Sequence, residues 1–265
     1  MSIAVLLPHY KNLVGLEITL YSLSNETKSF ELFLIDDGSG LDDEIEALLQ
    51  KLGLHFEVHL FPLRNNSGIT NALNYGLTEI LQTERFEYVA RIDAGDVCLN
   101  DRLSRQAKFM DENPEISLVS CFVRFVDMNR KELFVFKPPL HTEKLKRVVH
   151  VYNPFIHPAV LMRVTAIAKL GEYPHKYPAL EDHAYFMSLM KSFKAAVIPD
   201  VLLEYEMNPK GISLSKRKIQ TSSRIKLFRD NFYFGYFPIY GLIRAYLTHI
   251  TPVKYLTYIK RMLFE

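Results

Sequence analysis

The chain has 265 residues, of which 48% are hydrophobic and 23% are charged, with a net charge of +2. This composition excludes a disordered or low-complexity protein, and the length allows one large domain or two small ones. Two cysteines are too few for a disulfide framework, which favours a reducing compartment. The N-terminal apolar run ends at Pro8 without a basic region before it, and no stretch approaches the length of a transmembrane helix. We therefore expect a cytoplasmic protein.

Apolar runs of strand length alternate with helical patterns over the first hundred residues. The predicted strands are Ile3–Leu7, Phe30–Ile35, Phe56–Leu60 and Tyr88–Ile92, and the predicted helices are Leu13–Ser24, Asp42–Leu52 and Gly68–Gln82. Continuous apolar strands separated by helices indicate a parallel sheet that is covered on both faces. The sequence therefore predicts an α/β, doubly wound architecture.

The pattern changes from about Leu103 onward. The predicted helices are Leu103–Glu112 and roughly His183–Ser192, and the predicted strands are Ile116–Asp127, Leu133–Phe136, Ala159–Arg163, Ala195–Ile198 and Val201–Tyr205. There is no internal repeat and no flexible linker between the two halves. We expect residues 103–215 to pack onto the first sheet.

Positive charge is concentrated in the last fifty residues. Residues 216–265 contain ten lysines and arginines against two acidic residues, and they hold eleven of the 33 aromatic residues. A composition break of this size marks a segment with a different partner. We predict a globular body over residues 1–215 and a basic, aromatic, helical extension over residues 216–265.

Acidic residues follow the predicted strands. Asp36 and Asp37 come after the second strand, and Asp93 and Asp96 come after the fourth. In parallel sheets, ligands bind outside the carboxyl ends of the strands, and closely spaced carboxylates can share a divalent cation that neutralises phosphate. The structural alternative is that these residues only form turns and cap helices. A third acidic pair at residues 181–182 favours the functional interpretation.

Five short motifs occur in a fixed order along the body. They are Pro8-His9-Tyr10-Lys11-Asn12; Ile35-Asp36-Asp37-Gly38-Ser39; Asn66-Ser67-Gly68 with Ala72-Leu73-Asn74-Tyr75-Gly76; Arg91-Ile92-Asp93-Ala94-Gly95-Asp96 with Asp101-Arg102-Leu103; and Glu181-Asp182. Together they resemble the family 2 glycosyltransferases with the GT-A fold, over residues 3 to about 215. The resemblance implies a Rossmann-like, mostly parallel sheet, with a nucleotide-binding half at 1–102 and an acceptor half at 103–215.

The resemblance also implies residue roles. The expected substrate contacts are Pro8, Tyr10, Asp36, Asp37, Asn66, Arg91, Asp93 and Glu181. Asp93 and Asp96 are expected to hold Mn²⁺ or Mg²⁺ on the diphosphate of a nucleotide-sugar, most simply a UDP-sugar. Asp182 is expected to act as the general base of an inverting displacement. The implied acceptor is a surface polysaccharide, a lipopolysaccharide or another lipid-linked glycan.

Two positions depart from the family pattern. Gly95 stands where the family usually has its metal-binding aspartate, which leaves Asp96 as the candidate replacement. Tyr205-Glu206-Met207-Asn208 stands where the family often has Y-R-x-H, and Lys216 and Arg217 are candidate phosphate partners downstream. These departures keep one alternative open, a catalytically degenerate protein that binds nucleotide-sugars or serves as a membrane scaffold. A nucleotidyltransferase is disfavoured, because no glycine-rich loop follows the first strand.

The extension provides a second functional hypothesis. Taken as a helix, Val253–Phe264 separates Lys254 and Arg261 from an apolar face that includes Tyr255 and Leu256. A basic amphipathic helix with aromatic residues fits the anionic inner face of a cell membrane. The alternative is that this face packs on the body or on a second subunit in a homo-oligomer. Nucleic-acid binding is disfavoured because the segment is too apolar.

Overall fold

The computed structural model of the protein describes residues 2–207 and 216–251. Within these residues nine strands form one sheet, whose order is β3-β2-β1-β4-β8-β6-β9-β5 with β7 paired to β6. The predicted amphipathic helix at Val253–Phe264 lies outside the described residues.

The first half of the chain forms the predicted parallel sheet. Its strands are β1 (Ile3–His9), β2 (Phe30–Asp36), β3 (Glu57–Pro62) and β4 (Tyr88–Arg91), and its helices are α1 (Leu13–Leu23), α2 (Asp42–Leu52) and α3 (Ile69–Gln82). Every neighbouring pair in the order β3-β2-β1-β4 is parallel. Residues of β1 alternate between two apolar clusters, with Val5 and Leu7 in one and Ala4 and Leu6 in the other. The predicted burial of both sheet faces is confirmed.

The second half extends the sheet in a mixed arrangement. Its strands are β5 (Val97–Cys98), β6 (Ile116–Val126), β7 (Glu132–Phe136), β8 (Leu161–Arg163) and β9 (Lys194–Glu206). Its helices are α4 (Arg102–Glu112), α5 (Thr142–Val148), a 3₁₀ turn (His157–Ala159), α6 (Val164–Leu170) and α7 (Glu181–Ser192). β8 is antiparallel to both β4 and β6, whereas β6 and β9 are parallel. The parallel character predicted for the sheet therefore holds in full only for the first half.

One strand replaces two predicted ones near residue 200. β9 runs continuously from Lys194 to Glu206, and its register against β6 shifts around Pro199 and Asp200. Because proline has no N–H to donate to a ladder, the chain bulges there and then resumes pairing. The short elements β5 and α5 were not predicted, since neither has enough residues to show a hydrophobic period.

The described part of the extension packs on the body as two helices. These are α8 (Arg217–Asp230) and α9 (Tyr236–Ile250). Leu227, Phe228 and Ala245 join Leu180 and Met187 in a third apolar cluster. The α9 backbone approaches the body so closely at Gly241 that a Cβ there would collide with a backbone carbonyl at residue 150. None of the helices within residues 2–207 and 216–251 is long and apolar enough to cross a membrane.

Candidate active site

A cleft of about 480 Å³ opens at the carboxyl ends of β1 and β2. Its lining residues come from the β1–α1 and β2–α2 turns, the start of α3 and the loop before α7; they include Pro8, Tyr10, Asp37, Asn66, Ser67, Gly68, His175, Glu181 and Lys216. Five of the expected substrate contacts (Pro8, Tyr10, Asp37, Asn66 and Glu181) therefore lie together. Lys216, a candidate phosphate partner, also lines this cleft. His175 lines it too, but no motif in the sequence pointed to this residue.

Asp36 lies beneath the cleft and not on its surface. Its carboxylate accepts hydrogen bonds from His9 Nδ1 at 2.6 Å and from the N–H and hydroxyl of Ser39 at 2.9 and 2.8 Å. His9 Nε2 accepts the N–H of Asn12, so the ring proton is on Nδ1 and points at Asp36. Asp36 has no exposed surface. The oxygens of Asp36 therefore bind the turns after β1 and β2 together, and its expected contact with the substrate stays a prediction.

Asp37 joins the β2 turn to the start of α3. One carboxylate oxygen accepts the N–H and hydroxyl of Ser67 at 2.8 and 2.9 Å, and the other accepts the N–H of Gly68 at 2.8 Å. Gly38 makes this approach possible, since its φ is +69° and a Cβ would collide with the backbone at Asn65. The Asp37 side chain thus fixes the wall of the cleft that it lines.

The loop after β4 is held by buried arginine and threonine side chains. Arg91 is 1% exposed and donates to Asp93 Oδ1 at 2.6 Å. The Thr19 hydroxyl donates to the Asp96 carbonyl at 2.8 Å and accepts the N–H of Gly95 at 3.0 Å. Arg91 therefore orients Asp93 and does not line the cleft, and its expected contact with the substrate stays a prediction.

Asp96 is buried and only partly satisfied. Its Oδ1 accepts the N–H of Glu206 at 3.1 Å, whereas its Oδ2 has no hydrogen-bond partner within residues 2–207 and 216–251, although Asp96 is only 3% exposed. Burial, followed by the nearby Asp93 carboxylate, raises the pKa of Asp96 well above its usual range. An unpartnered buried carboxylate oxygen is costly without a compensating positive charge, which is consistent with the expected metal role.

The one three-residue cluster with metal-ligand spacing in the described ranges lies at the opposite end of the sheet. It consists of Glu31, Glu57 and His59, at or near the amino ends of β2 and β3. Arg85 already binds both carboxylate oxygens of Glu31, at 2.7 and 2.6 Å. The guanidinium group of Arg85 therefore already supplies a positive charge to this cluster, which lies far from the cleft.

The first turn of α7 carries two carboxylates in different environments. Asp182 accepts hydrogen bonds from Asn153 Nδ2 at 2.9 Å and from the N–H of His183 at 2.7 Å. Glu181 is buried, and its Oε2 has no hydrogen-bond partner in the part of the chain that the structure describes. Burial and then the adjacent Asp182 raise the pKa of Glu181 to about 7, and burial also raises the pKa of Asp182. The helix begins at Glu181, two residues earlier than predicted, so both carboxylates lie at its positive end.

The acidic loop and the α7 carboxylates are electrostatic neighbours. The Asp93 charge contributes to the raised pKa of Glu181, and Asp96, Asp93 and Asp182 all add to the effect of burial in raising the pKa of the Tyr205 hydroxyl. The end of β9 therefore lies within the electrostatic reach of both acidic groups. Asn153 and Tyr205 were not singled out as site residues from the sequence, because one lies in a proline-rich loop and the other at a strand end.

Comparison with known proteins decides the family. Residues 4–171, more than half of the chain, match the model of glycosyl transferase family 2. The chain belongs to this family. The amylovoran biosynthesis glycosyltransferase AmsE of Erwinia amylovora is 27% identical over 254 residues, 92% of each chain. An Escherichia coli UDP-Gal:alpha-D-GlcNAc-diphosphoundecaprenol beta-1,3-galactosyltransferase is 23% identical over 236 residues, covering 86% of this chain and 83% of the relative.

Solved structures of two glycosyltransferases share the fold of this family 2 member. The crystal structure of S. aureus TarS 1–349 in complex with UDP-GlcNAc has a TM-score of 0.68 at 17% identity and covers 94% of this chain and 72% of that one. The mannosyltransferase PcManGT from Pyrobaculum calidifontis, in complex with GDP-Man and Mn²⁺, has a TM-score of 0.65 at 17% identity, with 94% and 70% covered. The predicted GT-A fold is confirmed.

Proposed function

We propose that this chain is an inverting glycosyltransferase that moves a sugar from a UDP-sugar to a hydroxyl of a surface polysaccharide or lipid-linked glycan. Family membership supports the transfer of a glycosyl group. One relative is named for amylovoran biosynthesis, another for a UDP-Gal donor and a diphosphoundecaprenol-linked sugar, and a structural relative binds UDP-GlcNAc. The observation that carries the proposal is the cleft in which Tyr10 and Asp37 lie in the same cavity as Glu181.

The nucleotide part of the donor occupies the β1–β2 side of this cleft in our proposal. Tyr10 is 45% exposed at the cleft and offers an aromatic face to a base. Each Asp37 oxygen keeps lone-pair capacity beyond its bonds to Ser67 and Gly68, so the carboxylate can accept an N–H of the base. Lys216 adds a positive charge for the diphosphate.

Asp182 is the proposed general base. An acceptor hydroxyl attacks the anomeric carbon, the bond from that carbon to the diphosphate oxygen breaks, and the hydroxyl proton passes to the Asp182 carboxylate. The displacement inverts the anomeric carbon. Burial raises the pKa of Asp182 towards the range in which a carboxylate is an effective base near neutral pH, while Asn153 fixes its orientation. Glu181 would accept a hydrogen bond from a sugar hydroxyl through its unpartnered Oε2.

Asp93 and Asp96 would hold Mn²⁺ or Mg²⁺ in this reaction. The residues fit such an ion, because carboxylate oxygens are its preferred ligands and Asp96 Oδ2 is buried without a partner in the described ranges. When bound, the cation neutralises charge on the leaving diphosphate. Arg91 holds Asp93 in place through the 2.6 Å contact to Oδ1.

A donor panel tests the proposed reaction. UDP-, GDP-, dTDP- and CMP-sugars are incubated with the wild-type chain, Mn²⁺ and candidate glycan acceptors, and release of the nucleotide is measured by chromatography. We expect release from one UDP-sugar and no release in the Asp182→Asn variant. Binding of a UDP-sugar without any release, in the presence of candidate glycan acceptors, would favour the alternative of a degenerate nucleotide-sugar-binding protein.

The exposed face of α9 is the proposed membrane contact. Its exposed residues recur every three or four positions and are Ile239, Tyr240, Ile243, Tyr246, Leu247 and Ile250. The opposite face, with Pro238, Gly241 and Ala245, is buried against the body. α8 and α9 also carry exposed basic side chains; they are Lys218, Lys226, Arg229 and Arg244. An apolar, aromatic face with surrounding positive charge fits an anionic lipid surface.

Vesicle sedimentation tests this contact. We expect the wild-type chain to bind vesicles of phosphatidylcholine with phosphatidylglycerol but not vesicles of phosphatidylcholine alone. The double variant Ile243→Asp with Leu247→Asp should lose binding, whereas Met128→Asp, which is equally exposed on the β6–β7 turn, should not. A concentration-dependent dimer that the double variant abolishes, without vesicle binding by the wild type, would assign the face to a homo-oligomer instead.

A further inference from the structure

Arg224 on α8 is a charged residue to which the proposed reaction assigns no role. Its Nε is buried and has no hydrogen-bond partner within residues 2–207 and 216–251. Asp230, the one acidic residue of α8 and α9, accepts the Tyr177 hydroxyl at 2.8 Å and lies 2.7 Å from Lys176 Nζ. Asp230 therefore has its own partners and does not neutralise Arg224. Because a buried charge without an ion-pair partner is costly, this position favours a ligand of opposite charge.

The packing of α8 places Arg224 beside the first turn of α7. The hydroxyl of Ser223 donates to the Pro178 carbonyl at 2.9 Å, in the loop before α7. One turn after Arg224, the ring of Phe228 meets the ring of His183 edge-on, with centroids 5.6 Å apart. Residues four positions apart share a face of a helix. Arg224 therefore lies on the face of α8 that meets the turn carrying the proposed general base.

Arg224 and Asp182 are electrostatic neighbours. In the described ranges the Asp182 carboxylate accepts hydrogen bonds from Asn153 and from the N–H of His183, and not from Arg224. Burial raises the pKa of Asp182, and the positive charge of Arg224 is one of the effects that oppose this rise. The pKa of Arg224 is itself lowered by burial and then by the nearby charge of Arg244, while Asp182 opposes that lowering. Two guanidinium groups therefore lie near one carboxylate, which does not neutralise both of them.

Arg244 connects this region to the exposed face of α9. Its Nη1 donates to the Val151 carbonyl at 3.0 Å. Two residues further along the chain, Asn153 Nδ2 donates to Asp182 at 2.9 Å. Arg244 also follows Ile243, an exposed residue of the proposed membrane contact. The two arginines therefore lead from the surface proposed to meet lipid to the proposed base.

We propose that Arg224 and Arg244 bind the diphosphate of a lipid-linked acceptor and so hold its sugar hydroxyl at Asp182. The inference rests on the proposed function and narrows the acceptor to a sugar that is joined to a lipid through a diphosphate. Guanidinium groups bind phosphate oxygens through paired N–H donors, so two arginines suit a diphosphate. Both arginines keep exposed surface, and neither lines the cleft proposed for the donor. A phosphate site that is beside the base and separate from the donor cleft is what such an acceptor requires.

Binding of geranyl diphosphate, a soluble isoprenyl diphosphate, tests the assignment. Calorimetry measures its binding to the full chain in EDTA with saturating UDP, which occupies the donor site, and geraniol is the matching probe without phosphate. We expect the wild type to bind geranyl diphosphate but not geraniol, and Arg224→Gln to bind the diphosphate roughly tenfold more weakly or worse. Arg105→Gln is the matched control, since it removes the same charge from a guanidinium group on α4 that pairs with Asp200 at 2.6 Å. This control should bind the probe as the wild type does.

A second variant keeps the test decisive if Arg224→Gln does not fold. Arg244 is exposed and already donates to the Val151 carbonyl, so Arg244→Gln should fold and bind geranyl diphosphate about threefold more weakly than the wild type. Thermal unfolding shows whether each variant is folded. Unchanged affinity in Arg244→Gln, together with unchanged affinity in any folded Arg224→Gln, would overturn the inference.

The remaining outcomes separate this inference from the proposed function. A wild type that binds UDP but not geranyl diphosphate, or that binds geraniol equally well, would overturn the inference and leave transfer to another acceptor intact. Weaker UDP binding in Arg224→Gln would assign the arginine to the donor diphosphate, and loss of vesicle binding would assign it to lipid headgroups; either result contradicts the proposal. A wild type that binds geranyl diphosphate through Arg224 but releases no nucleotide from any donor would support the diphosphate site and overturn the transfer reaction instead.

Discussion

The two sides of the site hold their carboxylates in opposite ways. On the nucleotide side, the oxygens of Asp36 and Asp37 are bound by His9, Ser39, Ser67 and the Gly68 N–H. On the other side, Asp96 Oδ2 and Glu181 Oε2 are buried and have no hydrogen-bond partner among the residues that the structure describes. Because a satisfied buried carboxylate stabilises a fold and an unsatisfied one costs free energy, the first side is a preformed wall. The second side is where ligands are expected to complete the structure.

The largest effect is expected at Asp182. Asp182→Asn keeps the shape of the side chain but removes the proton acceptor, so kcat should fall by roughly 10²- to 10⁴-fold. Glu181→Gln, one residue away, should reduce kcat much less if Glu181 only binds a sugar hydroxyl. Steady-state nucleotide release with a saturating donor measures both variants. A larger loss in Glu181→Gln than in Asp182→Asn would exchange the two roles.

Glu181 should make stability depend on pH in the ligand-free protein. Its pKa is raised from 4.5 to about 7 by burial and Asp182, so the folded state keeps a proton that the unfolded state has lost between these values. The contribution of Glu181 to the free energy of unfolding therefore falls as pH rises from about 4.5 to 7. At pH 8 the Glu181→Gln variant should be more stable than the wild type by about 3 kcal/mol, with no such gain at pH 4. Urea unfolding at both pH values measures this difference, and a gain that is equal at both would contradict it.

A glycine pair tests how rigid the nucleotide wall is. Gly38 and Gly40 have nearly the same positive φ, +69° and +70°, but only Gly38 lies against the backbone of residues 65–66. Gly40→Ala should therefore cost about 1 kcal/mol from backbone strain, and Gly38→Ala about 3 kcal/mol because of the added collision. Thermal and urea unfolding give both values. Equal costs would show that the loop at 65–68 moves freely, which a preformed wall does not allow.

Tyr10 should have the smallest effect. If its exposed ring stacks on the base of the donor, Tyr10→Ala should weaken UDP binding about fivefold, or about 1 kcal/mol, without changing stability. Tyr21→Ala is the control, since Tyr21 is 67% exposed on α1 and does not line the cleft. Calorimetry with UDP measures both, and equal affinities in the two variants would remove Tyr10 from the base site.

The sequence predicted the parallel half of the fold, and five of its candidate site residues line one cleft, for physical reasons. Buried parallel strands such as β1 are continuous apolar runs, and strand ends with Asp37 or Asp93 lie at the same edge of the sheet. The contacts that the sequence analysis did not predict join residues that are far apart along the chain. The bonding of Asp36 to His9 and Ser39, which gives this side chain a structural role, is one such contact. The approach of Glu206 to Gly95 needs the register of β9 on the sheet, which local sequence does not carry.

The most direct test of the contrast between the two sides is a calorimetric titration of the wild-type chain with UDP, once in Mn²⁺ and once in EDTA. A preformed nucleotide wall beside an acidic side that needs a cation predicts measurable binding in EDTA and binding at least tenfold tighter in Mn²⁺. Equal affinity under the two conditions would contradict the account, because the unpartnered carboxylate of Asp96 would then have no part in holding the donor diphosphate.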